Sequence, residues 1–155
     1  MQPTIEEKNA WGRREFVTTG LTALSFLPVA SFARNFSNEE KMSVQKVIDL
    51  ILKTIPGAPS KQTVDTIKYG DATQTVTGIV TTMFATVDVI KKAAAIGANF
   101  IIAHEPTFYN HLDETNWLEN DVVHQYKTAL LQKHKIVVWR FHDYIHAHQP
   151  DGVLM

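Results

Sequence analysis

The residues of this chain best suited to chemistry are its histidines. All seven, His104, His111, His124, His134, His142, His146 and His148, fall between positions 104 and 148 of 155. Two short stretches set imidazole beside carboxylate: His104-Glu105, and His142-Asp143, with His146 close behind. Neutral imidazole and carboxylate together suit Zn, Mn, Fe, Co or Ni, so divalent ions of this group are the expected cofactor. The sequence contains no cysteine. Thiolate sites and disulfides are therefore excluded, and any ion must be held by nitrogen and oxygen.

Both stretches follow short apolar runs. Positions 99–103 read Asn-Phe-Ile-Ile-Ala and positions 136–141 read Ile-Val-Val-Trp-Arg-Phe, and each run is a strand candidate. In open α/β sheets, ligands gather beyond the carboxyl ends of the strands. One crossover joins these two strands, so they are expected as neighbours whose ends face one crevice. That crossover consists of a polar loop at 109–120 and a helix at 121–133, with Val122, Tyr126, Leu130 and Leu131 at helical spacing.

Upstream, Ser43 is placed to cap a helix with the stripe Val44, Val47, Ile48, Ile51 and Leu52, which Pro56-Gly57-Ala58-Pro59 ends. Positions 61–74 are polar, with a short strand expected near 66–69. A β-branched run follows at 76–83, and then Thr86 caps a helix that turns Val87, Ile90 and Ala94 inward and stops at Gly97. The expected fold class is α/β, a mostly parallel sheet with a β-α-β-α-β core and helices on both faces, preceded by a signal segment.

That signal segment is read from the N-terminus. Arg13-Arg14 opens a mildly apolar run at 16–32, and Ala30, Ser31 and Ala33 supply the small residues of an exit. A basic region, an apolar segment and small residues describe a secretory signal. The arginine pair before Glu15-Phe16-Val17 is similar to the twin-arginine type. Residues 1–33 are thus expected to be a twin-arginine signal peptide and 34–42 a linker, with export to the periplasm. The run is too short and too polar for a stable membrane span. With 45% hydrophobic and 20% charged residues the remainder is globular, and a net charge of -1 offers no basic face to nucleic acid.

Residues 43–155 resemble the N-terminal half of the Nif-three-like family, also known as type 2 GTP cyclohydrolase I-like or dinuclear-metal-centre hexameric proteins. The resemblance rests on the opening helix, on Gly78-Ile79-Val80 with the helix at 86–95, on 97–108, on the helix at 122–134, and on 136–146. Where the family carries two successive histidines before proline, this chain has His104-Glu105-Pro106. Where the family has histidine, three residues and aspartate, it has His142 and His146. The two departures are reciprocal, which preserves ligand number and type. The resemblance implies metal ligands His104, Glu105 and His146, and two ions per complete site. Glu105 and His142 would handle protons, His142 orienting a ligand or substrate rather than binding metal. The family completes its cluster with a His-x-x-x-Glu pair, which this sequence does not contain.

The function implied is a dinuclear-metal-dependent hydrolase of an unknown small-molecule substrate, assembled as a homo-oligomer and most simply a hexamer. The alternatives are a non-catalytic metal-binding or scaffold oligomer and an inactive truncated fragment. The remaining candidates have plainer readings. Asp143 binds metal if the register shifts. His148 and Asp151 line the cleft or sit in a surface loop. His111 lies in a loop that closes over the site or meets another subunit. His124 and His134 decorate a helix, while Trp117 and Trp139 serve packing.

Overall fold

The computed structural model of the chain describes residues 41–153. The expected signal segment, and all of the linker but its last two residues, lie outside the described residues. The element order is α1 (Val44–Leu52), β1 (Ile67–Tyr69), β2 (Ile79–Thr82), α2 (Val87–Ala95), β3 (Phe100–Ala103), α3 (Val122–Lys133), β4 (Val137–Arg140) and α4 (Asp143–Ala147).

Each longer helix begins where a short polar side chain can satisfy a free backbone N–H. Ser43 accepts from the Lys46 amide, Thr86 from that of Val89 and Asp121 from that of His124. Gly97 ends α2 in the left-handed region at φ 74°, and Lys135 takes the same conformation (φ 51°) directly after α3.

The sheet order is β1-β4-β3-β2. β2, β3 and β4 run parallel, and β1 is antiparallel to β4 at the edge. The fold is thus the mixed α/β class expected, with three parallel strands and one antiparallel strand. β3 and β4 are buried at every position because helices cover both faces. On one face Val44, Val47 and Ile48 of α1 pack with Phe100, Ile102, Val137 and Trp139. On the other, Ile90 and Ala93 of α2 and Leu131 of α3 pack with Ile101, Ala103 and Val138. Complete burial of one such aliphatic side chain stabilises the fold by about 1.5–3 kcal/mol, so the two central strands form the firmest platform in the domain.

Two details differ from the sequence reading. The expected strand at 76–83 shortens to β2, because the Thr77 amide donates to the Asn99 side chain (2.8 Å) and Gly78 lies tight against Ala98. After β4 the chain adds the short helix α4, an element that the expected β-α-β-α-β order does not include. Among the described residues no helix is long and apolar enough to cross a membrane.

Candidate metal centre

The register of β3 and β4 sets the site. Ala103 is paired with Arg140, so His104 and Phe141 leave the sheet side by side. The β2–β3 ladder continues past the strand end, with the His104 amide donating to the Thr82 carbonyl (3.0 Å) and the Glu105 amide to that of Met83 (2.8 Å). His104 is consequently fixed by the sheet itself, and it is buried.

The other end is built differently. After Phe141 the chain turns into α4, which carries His142 at its N-cap and His146 in its last turn. His142 provides no side-chain cap. The free amides go instead to Asp65, a buried carboxylate in the connection before β1. Asp65 accepts from the amides of His142 (2.7 Å), Asp143 (3.0 Å) and Tyr144 (2.8 Å). A carboxylate at a helix N-terminus is favoured both by those hydrogen bonds and by the helix dipole.

The two ends bring three imidazoles together. One ring nitrogen from each of His104, His142 and His146 lies within 4.8 Å of the others. The His104 and His142 rings stack with centroids 4.7 Å apart, and His146 meets both edgewise at 5.2 and 5.1 Å.

Each of the three rings has its Nδ1 facing an acceptor. His104 Nδ1 is 3.3 Å from the Phe141 carbonyl, His142 Nδ1 is 3.1 Å from Asp143 Oδ1, and His146 Nδ1 is 3.0 Å from Asp151 Oδ2. A carbonyl or carboxylate selects the tautomer with the proton on Nδ1, leaving the Nε2 lone pair available. Ligating histidines are oriented in this way by their outer partners. Asp143 is held in turn by the Val64 amide (3.0 Å) and the Thr63 hydroxyl (2.9 Å). Its burial raises the carboxyl pKa, but hydrogen bonds from Val64, His142 and Thr63 outweigh this and hold it below the ordinary value. A carboxylate beside an imidazole N–H raises the basicity of the ligand nitrogen.

The expected residues are therefore distributed as follows. His104 and His146, read as ligands, lie in the three-histidine cluster, and His142, read as an orienting or proton-handling group, lies there too. Glu105 borders it, with Oε1 3.9 Å from His104 Nε2. Asp151 reaches His146, whereas His148 Nδ1 faces the Pro150 carbonyl (3.1 Å). His111 stands beside His142 with ring centroids 5.6 Å apart. His124 packs on Phe108 instead. The sequence reading missed Asp65 and gave no role to Arg140. Neither has a local signature, since Asp65 works on a segment 77–79 positions downstream. The one signal for Arg140 was a charged residue inside an apolar strand.

Next to the cluster a cleft of about 640 Å³ opens, with His104 in its wall and Ile51, Met83, Ile102, Phe141 and Ile145 around it. Across the site the 105–113 segment is pinned down. Asp113 accepts from the amides of Thr107 (2.8 Å) and Phe108 (2.7 Å), and Lys127 of α3 donates to the Thr107 carbonyl. Burial lowers the Lys127 pKa, with the Asp113 charge opposing.

Three solved structures share the fold. Staphylococcus aureus protein SA1388 is 21% identical with a TM-score of 0.52, over 70% of this chain and 30% of its own. A Bacillus cereus protein related to NIF3 is 20% identical with a TM-score of 0.57, over 68% and 29% respectively. Reduced HcgD from Methanocaldococcus jannaschii is 20% identical with a TM-score of 0.56, over 68% and 41%. The chain thus spans well under half the length of these relatives. No curated protein matches it. The model of one family, however, matches residues 42–153, almost the whole described region, and the chain therefore belongs to the Duf34/NIF3 (NGG1p interacting factor 3) family.

Proposed function

We propose that His104, His142 and His146 hold a divalent metal ion through Nε2, and that the complete protein is a metal-dependent hydrolase of a small molecule. The observation that carries this reading is the shared placement of Nδ1 against an oxygen acceptor. Three convergent rings each have Nδ1 committed to an acceptor, an arrangement that surface histidines have no reason to adopt together. In this proposal His142 is a ligand, and Glu105 is either a fourth ligand or the proton acceptor. Two ions per complete site, and assembly into a homo-oligomer, belong to the same proposal.

A bound ion of this type supplies Lewis acidity toward a hydrolysable group. The chain's own residues supply the rest. Asp143 and Asp151 keep the rings in one tautomer. The sheet end holds His104 still while substrate exchanges. The apolar cleft beside His104 binds the part of the substrate that does not react and keeps water from it. Glu105, at the margin of the cluster, takes or returns a proton.

Metal analysis after loading with zinc, cobalt or manganese, on the wild type and on His104→Ala, tests the site. Stoichiometric metal in the wild type and none in the variant supports it, and equal uptake by both overturns it. Turnover on a panel of phosphate esters, amides and cyclic amidines separates the hydrolase from a non-catalytic metal-binding oligomer, which would load metal and turn over nothing. Export by the twin-arginine route is also proposed, on the strength of Arg13-Arg14 and the run that follows. Replacing both arginines by lysine would then leave the protein in the cytoplasmic fraction, whereas unchanged periplasmic recovery would contradict the assignment.

A further inference from the structure

Among the described residues Arg140 is the one arginine or lysine that is fully buried, at 0% exposure, and it makes no ion pair with a carboxylate there. Its Nε donates to the His104 carbonyl (3.3 Å) and its Nη1 to the His111 carbonyl. Its Nη2 stands 3.4 Å from His111 Nδ1. The guanidinium therefore ties the segment carrying His104 to the loop carrying His111, and it does so through carbonyls and an imidazole rather than a carboxylate.

The last of these contacts fixes the chemistry of His111. A guanidinium has donors and no acceptor, so His111 Nδ1 must accept from it. The proton of the neutral ring then sits on Nε2. This is the reverse of the tautomer selected at His104, His142 and His146, where a carbonyl or carboxylate faces Nδ1. His111 is exposed, and its ring meets that of His142 at 84°. Four contiguous rings are thus divided into three that offer a lone pair and one that offers an N–H.

We infer that His111 is not a fourth metal ligand but a hydrogen-bond donor, set by Arg140, for an anionic oxygen of a ligand seated on the three-histidine cluster. Two features point to the same class of ligand, a carboxylate, a phosphate or an oxyanion. The N–H of His111 offers a donor to an acceptor, and the buried positive charge of Arg140 favours an anion beside it. The ligand class rests on the metal reading given above; the tautomer of His111 does not.

Nitrogen-15 NMR of the histidine side chains in the metal-free protein reads the tautomers directly, with His111 assigned by its loss in His111→Phe. The expected result is a proton on Nε2 of His111 and on Nδ1 of His104, His142 and His146. A proton on Nδ1 of His111 would overturn the inference. Zinc and acetohydroxamate titrations supply the second arm. His111→Phe should bind zinc within about threefold of the wild type yet bind acetohydroxamate on the loaded protein about tenfold more weakly, the worth of one hydrogen bond. His111→Gln, which restores an N–H, should recover part of that loss. A hundredfold fall in zinc affinity in His111→Phe would make His111 a ligand, and unchanged hydroxamate binding would remove its role as donor; either result overturns the proposal. If the wild type takes up no zinc, the metal reading fails, and the tautomer measurement alone decides the role of His111.

Discussion

The two β-ends that build the cluster reach similar positions by different means. At the end of β3, His104 is held by continuation of the parallel ladder, its amide on Thr82 and that of Glu105 on Met83. The support is backbone, adjacent and buried. At the end of β4 the chain leaves the sheet at once and enters the five-residue helix α4. There the support is a set of side chains, with Asp65 on the helix amides, Asp143 on His142 and Asp151 on His146. A ligand placed by strand pairing is as stable as the sheet. A ligand placed by a polar network is as stable as the least satisfied member of that network. Mutational sensitivity outside the ligands themselves should therefore concentrate at the β4 end.

The largest effect is expected from Asp65→Ala. Three amides at the start of α4 lose their acceptor, and each buried unsatisfied group costs about 1–3 kcal/mol. Allowing for water reaching the partly open helix end, urea unfolding should show a loss of about 2–4 kcal/mol with an unchanged m-value. Asp65→Asn, which keeps one acceptor oxygen, should lose less. Equal stability of Asp65→Ala and the wild type would place α4 under some other control. The next effect is that of Asp143→Asn, which spares the fold but removes the anion at His142 Nδ1. Loss of such an outer partner weakens metal binding by about 10–100-fold, a fall that competition with a chromophoric chelator would read.

Asp151→Asn should cost less than Asp143→Asn. Its partner His146 is the most exposed of the three rings, with 38% of the side chain accessible, and water can replace the carboxylate there. The expected loss is about tenfold or below, measured in the same way. The smallest change is predicted at the β3 end. Thr82→Val removes a hydroxyl that donates to the Phe84 carbonyl (3.1 Å) but keeps the backbone carbonyl that holds His104. Its zinc affinity should match the wild type within about twofold, and a larger drop would show that the β3 end also depends on its side chains.

This asymmetry also explains what could be read from the sequence. The apolar runs of β3 and β4, and the caps Ser43, Thr86 and Asp121, are local patterns, and they located the parallel core and put His104 at a strand end. The resemblance to Nif-three-like proteins added His146. The β4 end was legible only in part, because α4 is too short to show a helical period and its cap comes from Asp65, far away in sequence. The role of His142 shares this origin. Its place beside His104 and His146 depends on the turn into α4, which no spacing rule foretells. The tautomer of each ring, which separates a ligand from a donor, is set by Phe141, Asp143, Asp151 and Arg140, and these identities acquire meaning only once the fold has brought them alongside.

X-ray absorption spectroscopy of the zinc-loaded protein tests the central claim most directly. The account predicts three imidazole nitrogens around the ion at about 2.0–2.1 Å, with their outer-ring scattering resolved and one of them lost in His142→Ala. A shell of oxygens without imidazole scattering, or a spectrum unaltered in His142→Ala, would contradict it.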